Sequence, residues 1–295
     1  MTNKKILILG GSGLLGSSLK KTFRNDVVIA PTHRVLNLTN SKKVVAFLAK
    51  TKPDSIIYAA GITRIDQAEK NKKTADLLNY VIPKMISNFS SMENIPFFYI
   101  STDAVFDGYT DKYKFSEADK PKPKSTYGKS KLRGEIAVIE ASKKNCVLRL
   151  ITLWGKSEKP NFTLMMLERL KSGKESDGII DQIQNPLLIT IACEGIKFAV
   201  EHQLSGIYHL GSLDYATNYN LLVKIANKYN LNDKLIKKTT FVKFSHNKKG
   251  HRKKKSVLIS DKFVKVSEDK ILKTIDGSIE IFYKSMKLSE DRAKA

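Results

Sequence analysis

Near its N-terminus the 295-residue chain reads Ile6-Leu7-Ile8-Leu9-Gly10-Gly11-Ser12-Gly13-Leu14-Leu15-Gly16. Four apolar residues followed by two glycines predict a buried strand that ends in a tight turn. The glycines let the backbone approach a pyrophosphate, and a helix that begins near Gly13 presents free N–H groups to an anion. The motif therefore predicts a nucleotide-binding turn, with an ordinary glycine-rich turn as the alternative. Its binding residues would be Gly10, Ser12, Gly13, Leu14, Leu15 and Gly16.

The rest of the first half alternates β-rich runs with helical patterns, which is typical of a parallel sheet with crossover helices. Strands are predicted at 5–9, 27–31, 55–59, 97–101 and 147–151. Helices are predicted from Gly13, at 41–51, at 72–92 with a bend at Pro83, and at 126–143. After Gly155 the pattern changes to helices at 162–172, 191–201 and 219–230, with a strand at 206–210.

These patterns predict an α/β protein with a Rossmann-type, doubly wound parallel sheet and a smaller C-terminal substrate-binding lobe. Residues 1–155 would form the NAD(P)-binding domain. Residues 156–295 would form mainly the substrate lobe, with some elements returning to the main sheet.

The composition is that of a soluble globular protein, with 41% hydrophobic and 27% charged residues. No apolar run is long enough to cross a membrane. Cys146 and Cys193 lack metal-ligand spacing, so we expect reduced thiols in a cytoplasmic protein.

The net charge of +23 raises the alternative of nucleic-acid binding. Only eight of the 52 basic residues are Arg, and the densest basic run, residues 248–255, has no interleaved aromatic residue. We therefore expect a solvated loop at 248–255. The positive field would attract an anionic substrate such as a nucleotide diphosphate.

Two further segments bear on the cofactor. The second predicted strand ends near Arg34, and a basic residue at this point accommodates the 2′-phosphate of NADP, whereas an acidic one favours NAD. NADP(H) is therefore favoured over NAD(H), with a surface arginine as the alternative. Ala59, Ala60 and Gly61 follow the third strand, where small residues let a cofactor lie over the sheet edge or allow tight packing.

A phenol and an ammonium are spaced for proton transfer at Tyr127 and Lys131, which lie four residues apart and share one helical face. A neighbouring ammonium lowers the pKa of a phenol from its ordinary value near 10, so Tyr127 would exchange a proton with a carbonyl or alcohol oxygen. Thr102 ends the fourth predicted strand, at the edge where open α/β sheets place ligands, and would hydrogen-bond the same oxygen. Taken singly, Tyr127 and Lys131 would be ordinary surface residues.

These motifs resemble the extended short-chain dehydrogenase/reductases, and more closely the dTDP-4-dehydrorhamnose reductase family. The resemblance spans most of the chain and is most specific over residues 101–108, 117–123 and 127–131. It implies NAD(P)H-dependent reduction of a 4-keto nucleotide sugar in deoxysugar and polysaccharide biosynthesis. It also implies catalytic roles for Thr102, Tyr127 and Lys131, with Lys131 holding the nicotinamide ribose.

The sequence departs from the family pattern mainly on the substrate side. Asn37 stands where members often carry Asp near the adenine, and Ala104 stands where a tyrosine is usual. Thr152 replaces a tryptophan, and residues 184–187 replace a Gly-x-Pro-Thr segment. The resemblance adds Asn37 and Leu38 to the cofactor site. The substrate contacts that we expect are Thr102, Asp103, Thr152, Asn161, Gln182 and Arg252.

The predicted reaction is reduction of the C4 carbonyl of a nucleoside-diphosphate 4-keto-6-deoxy sugar. Two alternatives are a nucleotide-sugar epimerase or dehydratase on the same fold, and a non-catalytic NADP-binding regulatory subunit. No His/Asp/Glu cluster suggests a metal site. Some members of the family use magnesium at a subunit interface, so magnesium and a homodimer stay open.

Overall fold

A six-stranded parallel sheet lies at the centre of the protein. The computed structural model describes residues 4–106, 112–158, 161–246 and 248–294, so Asp107 and Gly108 of the 101–108 motif lie outside the described residues. The strands are β1 (Lys5–Leu9), β2 (Val27–Ile29), β3 (Ser55–Tyr58), β4 (Phe97–Thr102), β5 (Lys114–Phe115), β6 (Cys146–Leu150), β7 (Leu153–Trp154), β8 (Ser176–Ile179), β9 (Ile183–Gln184), β10 (Leu187–Leu188), β11 (Gly206–Leu210), β12 (Ala216–Thr217), β13 (Ile236–Thr239) and β14 (Lys255–Leu258). The helices are α1 (Leu14–Thr22), α2 (Ser41–Thr51), α3 (Ile65–Lys70), α4 (Lys72–Asp76), α5 (Ile82–Met92), α6 (Thr126–Ala141), α7 (Phe162–Lys171), α8 (Ile189–Glu201), α9 (Asn218–Lys228), α10 (Phe241–Ser245), α11 (Asp261–Val266) and α12 (Ile275–Lys294).

The strand order of the central sheet is β11-β6-β4-β3-β1-β2, and all neighbours are parallel. Because β2 and β3 lie on opposite sides of β1, the winding direction reverses between β1 and β3. In open α/β sheets such a reversal opens a crevice at the carboxyl ends of the strands, where ligands bind. The predicted doubly wound α/β fold is confirmed.

Strand β1 lies inside the sheet, between β3 and β2, and both of its faces are apolar. Side chains alternate along a strand, so Ile6 and Ile8 join one core cluster with apolar residues of α1. Leu7 and Leu9 join a second cluster with apolar residues of α2. All four are at most 1% exposed, so the strand that leads into the glycine turn is packed firmly on both faces.

The helix predicted at 72–92 is interrupted. Pro83 has no N–H group, so the helical hydrogen bond to the carbonyl of Asn79 cannot form. The Tyr99 hydroxyl donates to that carbonyl oxygen instead, at 2.6 Å. A π-helical turn at Leu77–Val81 joins α4 to α5 around this point. The Asn79 amide donates to Ser130 Oγ at 3.0 Å, which connects this helix to α6.

The second half of the chain contributes to several sheets. Strand β11 is the edge strand of the central sheet, parallel to β6. Strands β12, β9, β14 and β5 form a four-stranded sheet, in which β14 pairs in parallel with both β9 and β5. Two smaller pairs, β10 with β7 and β13 with β8, complete the set. The division of the chain into domains at residue 155 stays a prediction.

Candidate active site

A cleft of about 920 Å³ opens at the carboxyl edge of the central sheet, where the loops after β1, β3, β4 and β6 contribute to its lining. Most of the predicted cofactor residues line it: Gly10, Ser12, Gly13, Leu14, Leu15, Asn37, Leu38, Ala59, Ala60, Gly61, Tyr127 and Lys131. The predicted substrate residues that line it are Thr102, Asp103, Thr152, Gln182 and Arg252. Gly16, Arg34 and Asn161 are not among the described residues of the lining.

The glycine turn is shaped for close backbone contact. Gly10 has φ +96, and a Cβ added there would lie 2.6 Å from the Ala60 nitrogen. A Cβ on Gly16 would lie 2.1 Å from the Gly10 carbonyl oxygen, so Gly16 packs beneath the turn and does not line the cleft. Gly13 precedes α1 without a side-chain cap, which leaves the first N–H groups of the helix available to an anion.

The turn after β2 places Asn37 and Leu38 in the cleft as predicted, but not Arg34. Arg34 is exposed and lies outside the described lining, whereas His33 and Leu36 belong to it. The amide oxygen of Asn37 accepts hydrogen bonds from the backbone nitrogen of Thr39 at 3.0 Å and from its hydroxyl at 2.8 Å, which fixes the orientation of that amide. The preference for NADP(H) that was drawn from Arg34 therefore gains no geometric support from that side chain.

Thr102, Tyr127 and Lys131 converge on the cleft as the sequence predicted. Thr102 ends β4, and its side chain lies close enough to Tyr127 to lower the pKa of that phenol. Tyr127 and Lys131 lie one turn apart on α6, whose start is capped by Ser125 Oγ accepting from the Gly128 nitrogen at 3.0 Å. The ammonium of Lys131 donates to the backbone oxygen of Ile100 at 2.6 Å and therefore lies directly behind the end of β4.

Burial dominates the proton affinities of the pair on α6. It raises the pKa of Tyr127 to about 12, although the neighbouring Thr102 side chain lowers it. Burial also lowers the pKa of Lys131 to about 7, although the charge of Glu135 raises it. The expectation that Lys131 would bring the pKa of Tyr127 below its ordinary value is wrong for the protein alone, because burial raises that pKa and the charge of Glu135 raises it further. A phenol that keeps its proton at neutral pH is suited to be a proton donor.

A buried polar layer supports this site from behind. The guanidinium of Arg149 contacts the carboxylate of Glu135 at 2.7 Å, and Ser101 donates to the same carboxylate. Arg149 Nη1 lies 3.2 Å from His209 Nε2, and His209 Nδ1 lies 3.1 Å from a backbone oxygen of β5. The carbonyl requires an N–H at Nδ1, so Nε2 accepts from the guanidinium. Burial and then the charge of Arg149 lower the pKa of His209 to about 3, so this histidine is neutral.

The side of the cleft that Thr152 and Gln184 line is polar. Thr152 Oγ1 donates to Gln184 Oε1 at 3.1 Å, and both residues line the cleft. Asn161 has a different position from the one predicted. Its amide oxygen accepts from the Leu164 nitrogen at 3.3 Å and caps α7, while its nitrogen donates to the Gly155 carbonyl at 2.7 Å. These bonds organise the loop before α7, so the prediction of a substrate contact gains no support from this position.

The basic run at 248–255, the basic segment, contributes more of the site than the sequence analysis predicted, since only Arg252 was expected to contact the substrate. Three of its cations line the cleft: Lys248, Arg252 and Lys253. Arg252 forms an ion pair with Asp66 at 2.6 Å, and Lys253 forms one with Asp103. The expectation of a solvated loop is wrong for Arg252 and Lys253, because Asp66 and Asp103 hold their side chains in the cleft. The signal available in the sequence was the dense basic run itself, whose charge calls for acidic partners such as Asp66 and Asp103.

The described ranges contain no residues arranged for a metal site or a membrane span. No group of three or more His, Cys, Asp or Glu side chains within them is placed to hold a metal ion. None of the helices described there is long and apolar enough to cross a membrane. Cys146 and Cys193 are buried and free.

A family model described as the RmlD substrate binding domain matches residues 4–277. The chain belongs to the RmlD family. A curated relative of this RmlD-family chain is the dTDP-4-dehydrorhamnose reductase of Aggregatibacter actinomycetemcomitans, which is 33% identical over 215 residues, 67% of this chain and 72% of that protein. The predicted relationship to the dTDP-4-dehydrorhamnose reductases is therefore confirmed.

This RmlD-family chain is also similar to a protein named as a subunit of methionine adenosyltransferase and to the structure of a reductase. Methionine adenosyltransferase 2 subunit beta of Xenopus laevis is 28% identical over 247 residues, 78% of this chain and 73% of that protein. The structure of a dTDP-4-dehydrorhamnose reductase from Bacillus anthracis in complex with NADP has a TM-score of 0.87 at 24% identity, covering 96% of this chain and 100% of that one. That structural similarity shows the fold.

Proposed function

We propose that this RmlD-family protein is an NADPH-dependent oxidoreductase that reduces the C4 carbonyl of a nucleoside-diphosphate 4-keto-6-deoxy sugar. The observation that carries the proposal is the convergence of Thr102, Tyr127 and Lys131 in one cleft with the uncapped glycine turn of α1. This combination provides a cofactor cradle and proton-transfer groups at the same sheet edge.

The glycine turn fits a dinucleotide. A side chain on Gly10 would collide with the backbone at Ala60, and one on Gly16 would collide with the turn itself, so the backbone can approach a pyrophosphate only with glycine at these positions. The free N–H groups of α1 and the small residues Ala59 and Gly61 would hold the cofactor. When bound, NADPH supplies the hydride that reduces the carbonyl carbon. The NADP in the similar Bacillus anthracis reductase supports NADPH over NADH.

The side chains of the cleft supply the proton and its control. Tyr127 keeps its proton at neutral pH and donates it to the carbonyl oxygen as that oxygen becomes negative. Thr102 hydrogen-bonds the same oxygen and polarises the carbonyl. Lys131 stabilises the phenolate that remains, because an adjacent ammonium favours the charged form of a phenol.

The remaining lining residues would select the substrate. Lys248 and Arg252 provide positive charge at the cleft, which suits the diphosphate of a nucleotide sugar. Thr152 and Gln184 offer a hydroxyl and an amide to the sugar hydroxyls.

The direct test is oxidation of NADPH by purified protein, followed at the absorbance band of reduced nicotinamide. The substrates are dTDP-4-dehydrorhamnose and dTDP-4-keto-6-deoxyglucose, then UDP-, GDP- and CDP-linked 4-keto sugars. We expect oxidation that depends on the sugar. Tyr127→Phe should reduce kcat by roughly 10²- to 10⁴-fold with NADPH affinity retained. Unchanged turnover in this variant would exclude the proposed acid.

A second candidate is a non-catalytic NADPH-binding subunit of another enzyme. The similarity to methionine adenosyltransferase 2 subunit beta favours it, since that similarity covers 78% of this chain. NADPH binding without turnover of any of these sugar nucleotides, together with stable co-elution with a methionine adenosyltransferase, would support this candidate over the reductase.

A further inference from the structure

Lys253 is buried in the cleft beside the catalytic threonine. Its side chain is 12% exposed and forms an ion pair with Asp103, whose side chain is 9% exposed. The ammonium also donates to Ser256 Oγ at 3.2 Å. Burial lowers the pKa of Lys253 well below its ordinary value. A cation kept at such a site needs a partner, because an unpaired buried charge is strongly unfavourable.

The two carboxylate oxygens of Asp103 have different partners. Oδ2 binds Lys253, and Oδ1 accepts from the Thr102 hydroxyl at 3.3 Å. The Thr102 oxygen in turn accepts from the Ala104 nitrogen at 3.1 Å. Asp103 therefore competes with the substrate oxygen for the proton of the Thr102 hydroxyl. Lys253 weakens that competition because its ammonium binds Asp103 Oδ2 and offsets the negative charge of the carboxylate.

We propose that Lys253 is a positioning residue for the reaction, acting through Asp103 on the hydroxyl of Thr102. The inference rests on the proposed reductase function. Lys253 holds the Asp103 carboxylate, fixes the rotamer of Thr102 and balances a negative charge next to the place where the carbonyl oxygen and the phenolate become negative. Without it, an uncompensated carboxylate would keep the Thr102 proton and oppose charge development at the substrate.

Neighbouring contacts hold the basic segment so that Lys253 reaches this place. Gly250 has φ +82, and a Cβ added there would lie 2.6 Å from Ile65 Cγ2, so the segment packs closely on α3. Arg252 is tied to Asp66 on the same helix. The basic segment is thus attached to α3 immediately before Lys253 enters the cleft.

Lys254 provides a matched control. It is adjacent in sequence, has the same side chain, and forms an ion pair with Asp181 at 2.8 Å. This pair is more exposed, 36% and 29%, and neither residue is among the described lining of the cleft. Replacement of Lys254 therefore removes a lysine and an ion pair from the same segment without disturbing Asp103.

The kinetic test compares Lys253→Met, Lys253→Arg and Lys254→Met. We expect Lys253→Met to lower kcat by roughly tenfold to a hundredfold, because small misplacements of reacting groups have effects of that size. The KM for the sugar and the affinity for NADPH should stay close to those of the wild type. Lys253→Arg should recover much of kcat, and Lys254→Met should retain it. Wild-type kcat in Lys253→Met, an increase in KM alone, or an equal loss in Lys254→Met would overturn the proposal.

A denaturation cycle tests the ion pair independently of turnover. Lys253→Met alone leaves Asp103 buried without a counter-charge, so its urea midpoint should fall. Adding Asp103→Asn removes that charge and should raise the midpoint again, whereas additive losses would overturn the coupling. The failure of the proposed function is distinguishable, because it appears as a lack of sugar-dependent NADPH oxidation in the wild-type protein before any substitution is made.

Discussion

Replacing Glu135 by Gln removes a charge from the polar layer behind Thr102. Glu135 and Arg149 have side chains 1% and 3% exposed, and their charged groups make contacts between 2.7 and 3.2 Å. The substitution preserves the shape but leaves the guanidinium buried without a counter-charge. Removing one partner of such a pair costs about 3 to 5 kcal/mol of the free energy of unfolding. Glutamine keeps an acceptor oxygen for Arg149, so we expect a value near the lower limit, about 3 kcal/mol.

The measurement is urea denaturation of the wild type and of Glu135→Gln at neutral pH. Asp76→Asn is the matched control, because it breaks an ion pair between Asp76 and Arg133 whose side chains are 36% and 53% exposed. Exposed pairs contribute less than about 1 kcal/mol, so the control should be nearly as stable as the wild type. If Glu135→Gln loses no more stability than Asp76→Asn, burial does not make the Glu135–Arg149 pair more important for stability than an exposed pair.

Three further predictions follow from single residues. Gly16→Ala should weaken NADPH binding by about tenfold or more in a fluorescence titration, whereas Gly277→Ala, where an added Cβ meets nothing closer than 3.4 Å, should not. The pKa of His209 is about 3, below its unfolded value, so the unfolded chain takes up a proton as pH falls and the folded protein does not. The resulting loss of stability, about 1.4 kcal/mol per pH unit between about pH 6 and pH 3, should disappear from the pH dependence of urea denaturation in His209→Gln. Asn161→Ala should cost about 1 kcal/mol of stability through the lost cap of α7, with the KM for the sugar unchanged; an increased KM would return Asn161 to the substrate site.

Local patterns were sufficient to predict most of the fold. The apolar run of β1 and the alternation of strands and helices depend on neighbouring residues, and the observed bounds of β1, α2 and β11 match the predicted ones. The π-helical turn before α5 was not predictable in this way. It depends on the Tyr99 hydroxyl, which comes from β4 and replaces the hydrogen bond that Pro83 cannot make.

In the candidate site, too, local patterns predicted some residues, whereas others depend on contacts between distant parts of the chain. Thr102, Tyr127 and Lys131 were found because one strand end and one helical face place them together. Lys253 was missed because its contact with Asp103 joins residues 150 positions apart in the chain. Composition does not reveal which lysine of a basic run enters a cleft and which, like Lys254, faces a different acid. The direction of the pKa shift of Tyr127 was wrong for a related reason, since it depends on burial.

The pairing of β5 with β14 joins residues 114–115 to residues 257–258. During synthesis the glycine turn and the strands up to β6 emerge while the basic segment has not yet been made. Because domains generally fold from the N-terminal side during synthesis, the residues of the dinucleotide cradle are available to fold first. The basic segment, which carries Arg252 and Lys253, is synthesised when the chain is nearly complete. The residues of the glycine turn are therefore made well before those of the basic segment, although Leu258, Phe263 and Phe282 complete the same core cluster as Ile6 and Ile8.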